Sequence, residues 1–134
     1  MSSAFGYRSS RFGSSAFRMI GRSAGGRSSR MGGDKAFLEI GGRSLLARQI
    51  ETARAAGAAE VFISGRRDAD YGAFGLPVLH DDHPGCGPIS GVISALRRAS
   101  HPHILVLAVD LPLMRAEYLK GLLQDCAPGR GAVP

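Results

Sequence analysis

The densest concentration of chemistry in this sequence is the run Ala24-Gly25-Gly26-Arg27-Ser28-Ser29-Arg30-Met31-Gly32-Gly33-Asp34-Lys35. Glycines let a backbone wrap close to an anion and aim N–H groups at it, and Arg30 and Lys35 bring positive charge to the same place. The run therefore reads as a phosphate cradle. It fits neither the P-loop pattern G-x-x-x-x-G-K-[ST] nor the dinucleotide fingerprint G-x-G-x-x-G, which sets both aside. Alone, a loop rich in Gly, Ser and Arg is a weak signal, because the preceding residues share its composition; the bland alternative is more of an unstructured arm.

A second candidate is Asp110, which directly follows the apolar run Ile104-Leu105-Val106-Leu107-Ala108-Val109. Ligands of open α/β sheets gather at the carboxyl ends of the strands, so an acid there is placed to hold a Mg²⁺ bridging phosphate oxygens. The alternative is an acid that caps or solvates a turn. A third candidate is the segment Leu79-His80-Asp81-Asp82-His83-Pro84-Gly85-Cys86-Gly87-Pro88-Ile89-Ser90-Gly91. Gly87, Pro88 and Gly91 open a helix whose N-terminus faces a ligand without side-chain obstruction. His80, Asp81, Asp82 and His83 suggest a transition metal, but neighbouring residues of an extended chain point to opposite faces, so the four do not converge on one ion. Cys86 and Cys126 lie forty residues apart without a C-x-x-C pattern, which predicts neither a disulfide framework nor a cysteine zinc site and fits a reducing cytosol. No activating partner can be assigned to Cys86, which reads as a small loop residue.

These residues need elements to position them. Leu46, Ile50, Ala53 and Gly57 fall at helical spacing after Ser44, a capping residue, and predict one helix. Glu60 to Ser64 reads as a strand, and Pro77 to His80 as another. Ile89, Val92, Ile93 and Leu96 repeat at i, i+3, i+4, i+7 before Arg97 and Arg98, which complement the helix C-terminus, and predict a second helix, the clearest in the chain. Ile104 to Val109, apolar on both faces, reads as a central parallel strand. A last helix is expected from about Arg115 to Asp125, with Leu119, Leu122 and Leu123 inward. This alternation is that of βαβ units on a mostly parallel sheet of about four strands.

The whole chain has 134 residues, 44% of them hydrophobic, enough for one domain and not two. Its longest apolar run is far below the roughly 20 residues of a spanning helix, which argues against a membrane. The net charge of +6 sits entirely in residues 1–33, with six arginines, no lysine and no acid; residues 34–134 carry eleven basic and eleven acidic side chains. A neutral domain beside an arm with few aromatics argues against nucleic acid. Residues 1–18 read as a disordered Arg/Ser-rich arm, with a transit peptide as the alternative, and residues 19–134 as the domain.

Taken together, A-G-G-x-S-S-R-M-G-x-D-K-A, then G-R-S-L-L-A-R, H-D-D followed by G-P-I-S-G, and L-A-V-D-L-P-L-M resemble the molybdenum cofactor guanylyltransferases over residues 24 to about 125. The resemblance implies a Rossmann-like, three-layer α/β/α nucleotidyltransferase fold. It implies transfer of GMP from GTP to molybdenum-bound molybdopterin in the cytoplasm, with Mg²⁺ as cofactor and molybdoenzymes or other cofactor-biosynthesis proteins as contacts. By the same resemblance, Ser23, Ala24 and Gly25, with Gly26, contact the nucleotide, Lys35 binds phosphate beside Arg30, and Asp81 contacts the nucleoside. Gly87 lies at the nucleotide's helix start, Asp110 is the Mg²⁺ ligand, and Ser64 stands where an asparagine is often found. The sequence departs from the family in two places. Arg18-Met19-Ile20-Gly21-Arg22-Ser23 replaces an apolar first strand, which predicts a strand that is frayed, shifted or absent, and the further strands beyond the last helix are missing, which predicts an incomplete sheet. Cytidylyl- and sugar-phosphate nucleotidyltransferases, and a catalytically dead nucleotide-binding remnant, remain the alternatives.

Overall fold

The computed structural model describes residues 15–20, 34–65, 67–80, 88–101 and 103–126, the first of these segments and Pro88 by backbone alone. In chain order the elements are β1 (Ser15–Ile20), a 3-10 turn (Lys35–Phe37), β2 (Glu39–Ile40), β3 (Arg43–Ser44), α1 (Leu45–Ala55), β4 (Glu60–Ser64), a second 3-10 turn (Gly72–Phe74), β5 (Val78–Leu79), α2 (Pro88–Arg98), β6 (His103–Ala108) and α3 (Ala116–Asp125). The main sheet has the order β5-β4-β1-β6, and every pairing in it is parallel.

Alternation along the strands divides the core into two layers. Val61 and Ile63 of β4 and Leu107 of β6 pack with Leu46, Ile50 and Ala53 of α1 and Leu119 of α3. On the opposite face, Phe62 and Leu79 meet Ala95 of α2, with Ile104 alongside. The result is the expected three-layer α/β/α arrangement. α1 starts where the sequence places it, because Ser44 accepts from the Ala47 N–H at 3.2 Å and satisfies one of the helix's first donors.

Two expectations change. The first strand exists, but it runs from Ser15 to Ile20, so Ser15 to Arg18 belong to the sheet and not to the arm. It is also an internal strand, as β4 is: Arg18 is in register with Phe62 on one side and Val106 on the other. β6, expected to be central, is terminal among the described strands, and Val106 is exposed accordingly. On α2 the buried positions are Ser90, Gly91 and Ala95, while Ile89 and Leu96 are 64% and 59% exposed. Spacing defines an apolar stripe but not which stripe the sheet accepts; here the large Phe62 and Leu79 come from the strands, and the helix meets them with small residues.

Sequence reading passed over the antiparallel hairpin of β2 and β3. Gly41 and Gly42, at φ 60° and 74°, supply the two left-handed positions that its two-residue turn requires. Arg48 of α1 donates through Nε to the Ile40 carbonyl at 3.1 Å and ties the hairpin to the helix. Among the described residues no helix is long and apolar enough to cross a membrane.

Candidate active site at the carboxyl edge of the sheet

Register fixes where the loops emerge. Ile20 is level with Ser64 and with Ala108, and Ser64 is level with Leu79. The chain leaving each of the four strands therefore starts from one edge, the edge at which open α/β sheets bind ligands.

Lys35 reaches that edge through a relay of contacts. Asp34 caps its 3-10 turn by accepting from the Ala36 N–H at 3.0 Å. The other carboxylate oxygen of Asp34 accepts from the Tyr71 hydroxyl. The Tyr71 ring lies so close against Gly65, the residue after β4, that a Cβ there would be 2.5 Å from Cζ and 2.9 Å from Cδ2. Phe37 stacks on the far side of this assembly, its ring centroid 5.4 Å from that of Tyr71. Lys35 itself is half-buried, and its ammonium has no carboxylate partner among the described residues.

Asp110 stands two residues beyond β6, exposed, in the turn after Val109. Gln49, a buried residue of α1, donates from Nε2 to the Leu111 carbonyl at 2.6 Å and anchors this turn. Ala36 and Val109, the chain neighbours of Lys35 and Asp110, belong to the same buried cluster. Neither charged group makes an ion pair with the other or with any described residue. The edge thus carries an uncommitted cation and an uncommitted anion.

Ser64 closes β4 at the same edge and is buried. Ser23, Ala24, Gly25, Gly26, Arg30, Asp81 and Gly87 lie outside the described residues, as do His83, Cys86 and the acid Asp82. Among the described residues no group of three His, Cys, Asp or Glu side chains gathers to hold a metal. Asp110 is a hard oxygen donor of the kind Mg²⁺ takes, since that ion keeps several waters and one or two carboxylates together with substrate phosphates. Asp34, Gly65, Tyr71 and Gln49 were missed by sequence reading. An Asp directly before Lys-Ala-Phe carries the signature of a cap; the other three have no local signal, since their partners lie far along the chain.

The family described as the MobA-like NTP transferase domain matches residues 24–134. A probable molybdenum cofactor guanylyltransferase of Opitutus terrae is 40% identical over 113 residues, 82% of this chain and 56% of that protein. A molybdenum cofactor guanylyltransferase of Xanthomonas euvesicatoria is 44% identical over 101 residues, 75% of this chain and 50% of that protein. The chain thus spans about half the length of these curated relatives. Among solved structures, a nucleotidyl transferase from Methanothermobacter superposes with a TM-score of 0.69 at 17% identity, over 84% of this chain and 57% of that one, a likeness of fold.

Proposed function

Starting from a chain that belongs to the MobA-like NTP transferase domain family, we propose that it is the nucleotide-binding part of a molybdenum cofactor guanylyltransferase, transferring GMP from GTP to molybdenum-bound molybdopterin. The observation that carries this reading is that Lys35 and Asp110, neither ion-paired with a described residue, both belong to segments at the edge where all four described strands end. The names of the curated relatives support guanosine over cytidine.

Nucleotidyl transfer requires no enzyme nucleophile. An oxygen of the acceptor phosphate attacks the α-phosphorus in line; the new P–O bond forms as the α–β bridging P–O bond breaks, and pyrophosphate leaves with the electron pair. The protein's part is to position the reactants and offset charge. In this proposal the N–H groups of Gly25 and Gly26 hold the β- and γ-phosphates, and Arg30 and Lys35 oppose the charge growing on the α-phosphate and the leaving group. Ser23, Ala24, Ser64, Asp81 and Gly87 surround the nucleoside. Mg²⁺, when bound, supplies further neutralisation of the triphosphate oxygens, and Asp110 is the residue that holds it. The reaction is placed in the cytoplasm, with the product passed to molybdoenzymes or other proteins of cofactor biosynthesis.

Calorimetric titration of the chain with Mg-GTP tests this reading. Lys35→Ala and Asp110→Ala should each weaken binding at least tenfold, about 1.4 kcal/mol. Pyrophosphate release on mixing with molybdopterin, molybdate and labelled GTP then reads the transfer itself. Failure to bind Mg-GTP refutes the proposal, and tighter binding of Mg-CTP moves it to the cytidylyl reaction. Binding without transfer favours the nucleotide-binding remnant.

A further inference from the structure

The outer flank of the sheet carries a cleft that the proposed transfer does not use. It lies between β5 and the C-terminal half of α2, has a volume of about 440 Å³, and is lined by Val78, Leu79, His80, Ser94, Arg97 and Arg98. We propose that this cleft is a second anion site, which takes a phosphate-bearing small molecule on the guanidinium groups of Arg97 and Arg98 and the imidazole of His80.

Three observations carry the inference. First, among the described residues the lining holds two permanent cations and no carboxylate, and neither Arg97 nor Arg98 has an ion-pair partner. Two arginines at the last turn of a helix complement its dipole wherever their heads point, but that role does not require them to wall one concavity. Helical side chains lean toward the N-terminus of their helix, and both arginines line the same cleft as His80. Second, His80 Nδ1 is buried with no hydrogen-bond partner. A buried ring nitrogen left unpaired is destabilising, and a bound oxyanion would relieve it by accepting from Nδ1–H. Third, the walls divide the labour: Val78 and Leu79 offer an apolar side, and Ser94, whose Oγ donates to the Ser90 carbonyl at 3.1 Å, adds polar lining on the helix side.

The chemistry of the donors selects the ligand. A guanidinium is a planar fork suited to paired oxygens, and a tetrahedral phosphate offers enough oxygens to engage two forks and an imidazole together. The volume lies within the range of sites for small ligands. An extended acidic peptide would need a strand edge to pair with, and β5 is only two residues long, Val78–Leu79. A small phosphate-bearing molecule fits; a peptide does not. Neither Lys35 nor Asp110 is among the cleft's described lining residues.

Inorganic phosphate titrated into the full chain, followed by NMR of the His80 ring, tests the proposal. A saturable shift of the His80 resonances is expected. In the Arg97→Gln/Arg98→Gln double variant the affinity should fall at least tenfold, and in the Arg97→Lys/Arg98→Lys pair, which keeps charge but loses both forks, it should fall by a smaller factor. Lys35→Ala should leave the affinity within twofold, which separates this cleft from the nucleotide edge. A shift that rises linearly without saturating overturns the proposal, as does an unchanged affinity in the glutamine pair. Loss of the shift in Lys35→Ala, or a six-residue glutamate peptide that moves His80 at lower concentration than phosphate, overturns it equally.

Discussion

Replacing Gly65 by alanine should disturb Lys35, the proposed phosphate ligand, without touching it. The added Cβ would fall against the Tyr71 ring, with Cζ at 2.5 Å and Cδ2 at 2.9 Å, distances that real side chains do not adopt. The ring is rigid and backed by Phe37, so it has to move as a body and take its hydroxyl away from Asp34. Overpacking of this kind costs about 1–3 kcal/mol. A hydrogen bond to a charged group contributes about 1.5–3 kcal/mol, and losing it also frees the cap beneath Lys35. Tyr71→Phe keeps the ring and removes only the hydroxyl, so the two causes separate in a double-mutant cycle read by urea unfolding. If Gly65→Ala acts through the Tyr71–Asp34 bond, its cost in the Tyr71→Phe background should shrink by about that same 1.5–3 kcal/mol. Mg-GTP affinity should fall in both single variants and no further in the double. Strict additivity of the unfolding energies, or an undiminished affinity in Gly65→Ala, refutes the relay from β4 to Lys35.

Ser44→Ala removes the acceptor for the Ala47 N–H and should lower stability by about 1 kcal/mol in denaturant unfolding, with m unchanged. Gln49→Leu abolishes the bond to the Leu111 carbonyl but also removes the buried, unpaired Oε1, so its stability should change by less than about 1.5 kcal/mol. The turn that carries Asp110 loosens all the same, and Mg-GTP affinity measured by calorimetry should drop about fivefold, or roughly 1 kcal/mol. Deleting residues 1–14 should leave the melting temperature unchanged. Deleting residues 1–17 removes half of β1, an internal strand, and should abolish the cooperative thermal transition.

Much of this architecture is legible in the residues. Ser44 with the spacing of Leu46, Ile50 and Ala53 announces α1, and Glu60–Ser64 and His103–Ala108 announce their strands, because local pattern and tertiary need coincide there. β1 is not legible. Ser15-Ala16-Phe17-Arg18-Met19-Ile20 shows no apolar run, and its place is decided by pairing with two strands that begin over forty residues later. The exposed stripe of α2 fails for the opposite reason: its period is clear, but period does not say which face the sheet accepts. At the candidate site, Lys35 and Asp110 are legible from type and position. What holds them is not, since the Tyr71–Asp34 and Gln49–Leu111 bonds each join residues distant in sequence.

The position of β6 has a consequence for how the chain behaves in concentrated solution. Among the described residues its outer side pairs with no strand. Proteins usually blunt such an edge with a lysine, a proline or a bulge. His103-Ile104-Leu105-Val106-Leu107-Ala108 has neither lysine nor proline, is apolar from its second residue onward, and matches the short, weakly charged segments from which cross-β assemblies grow. In any form of the protein that leaves this edge unpaired, colloidal lifetime is set by a different part of the molecule from thermal stability: a substitution that strengthens α1 or β4 raises the unfolding temperature and does nothing to blunt the edge.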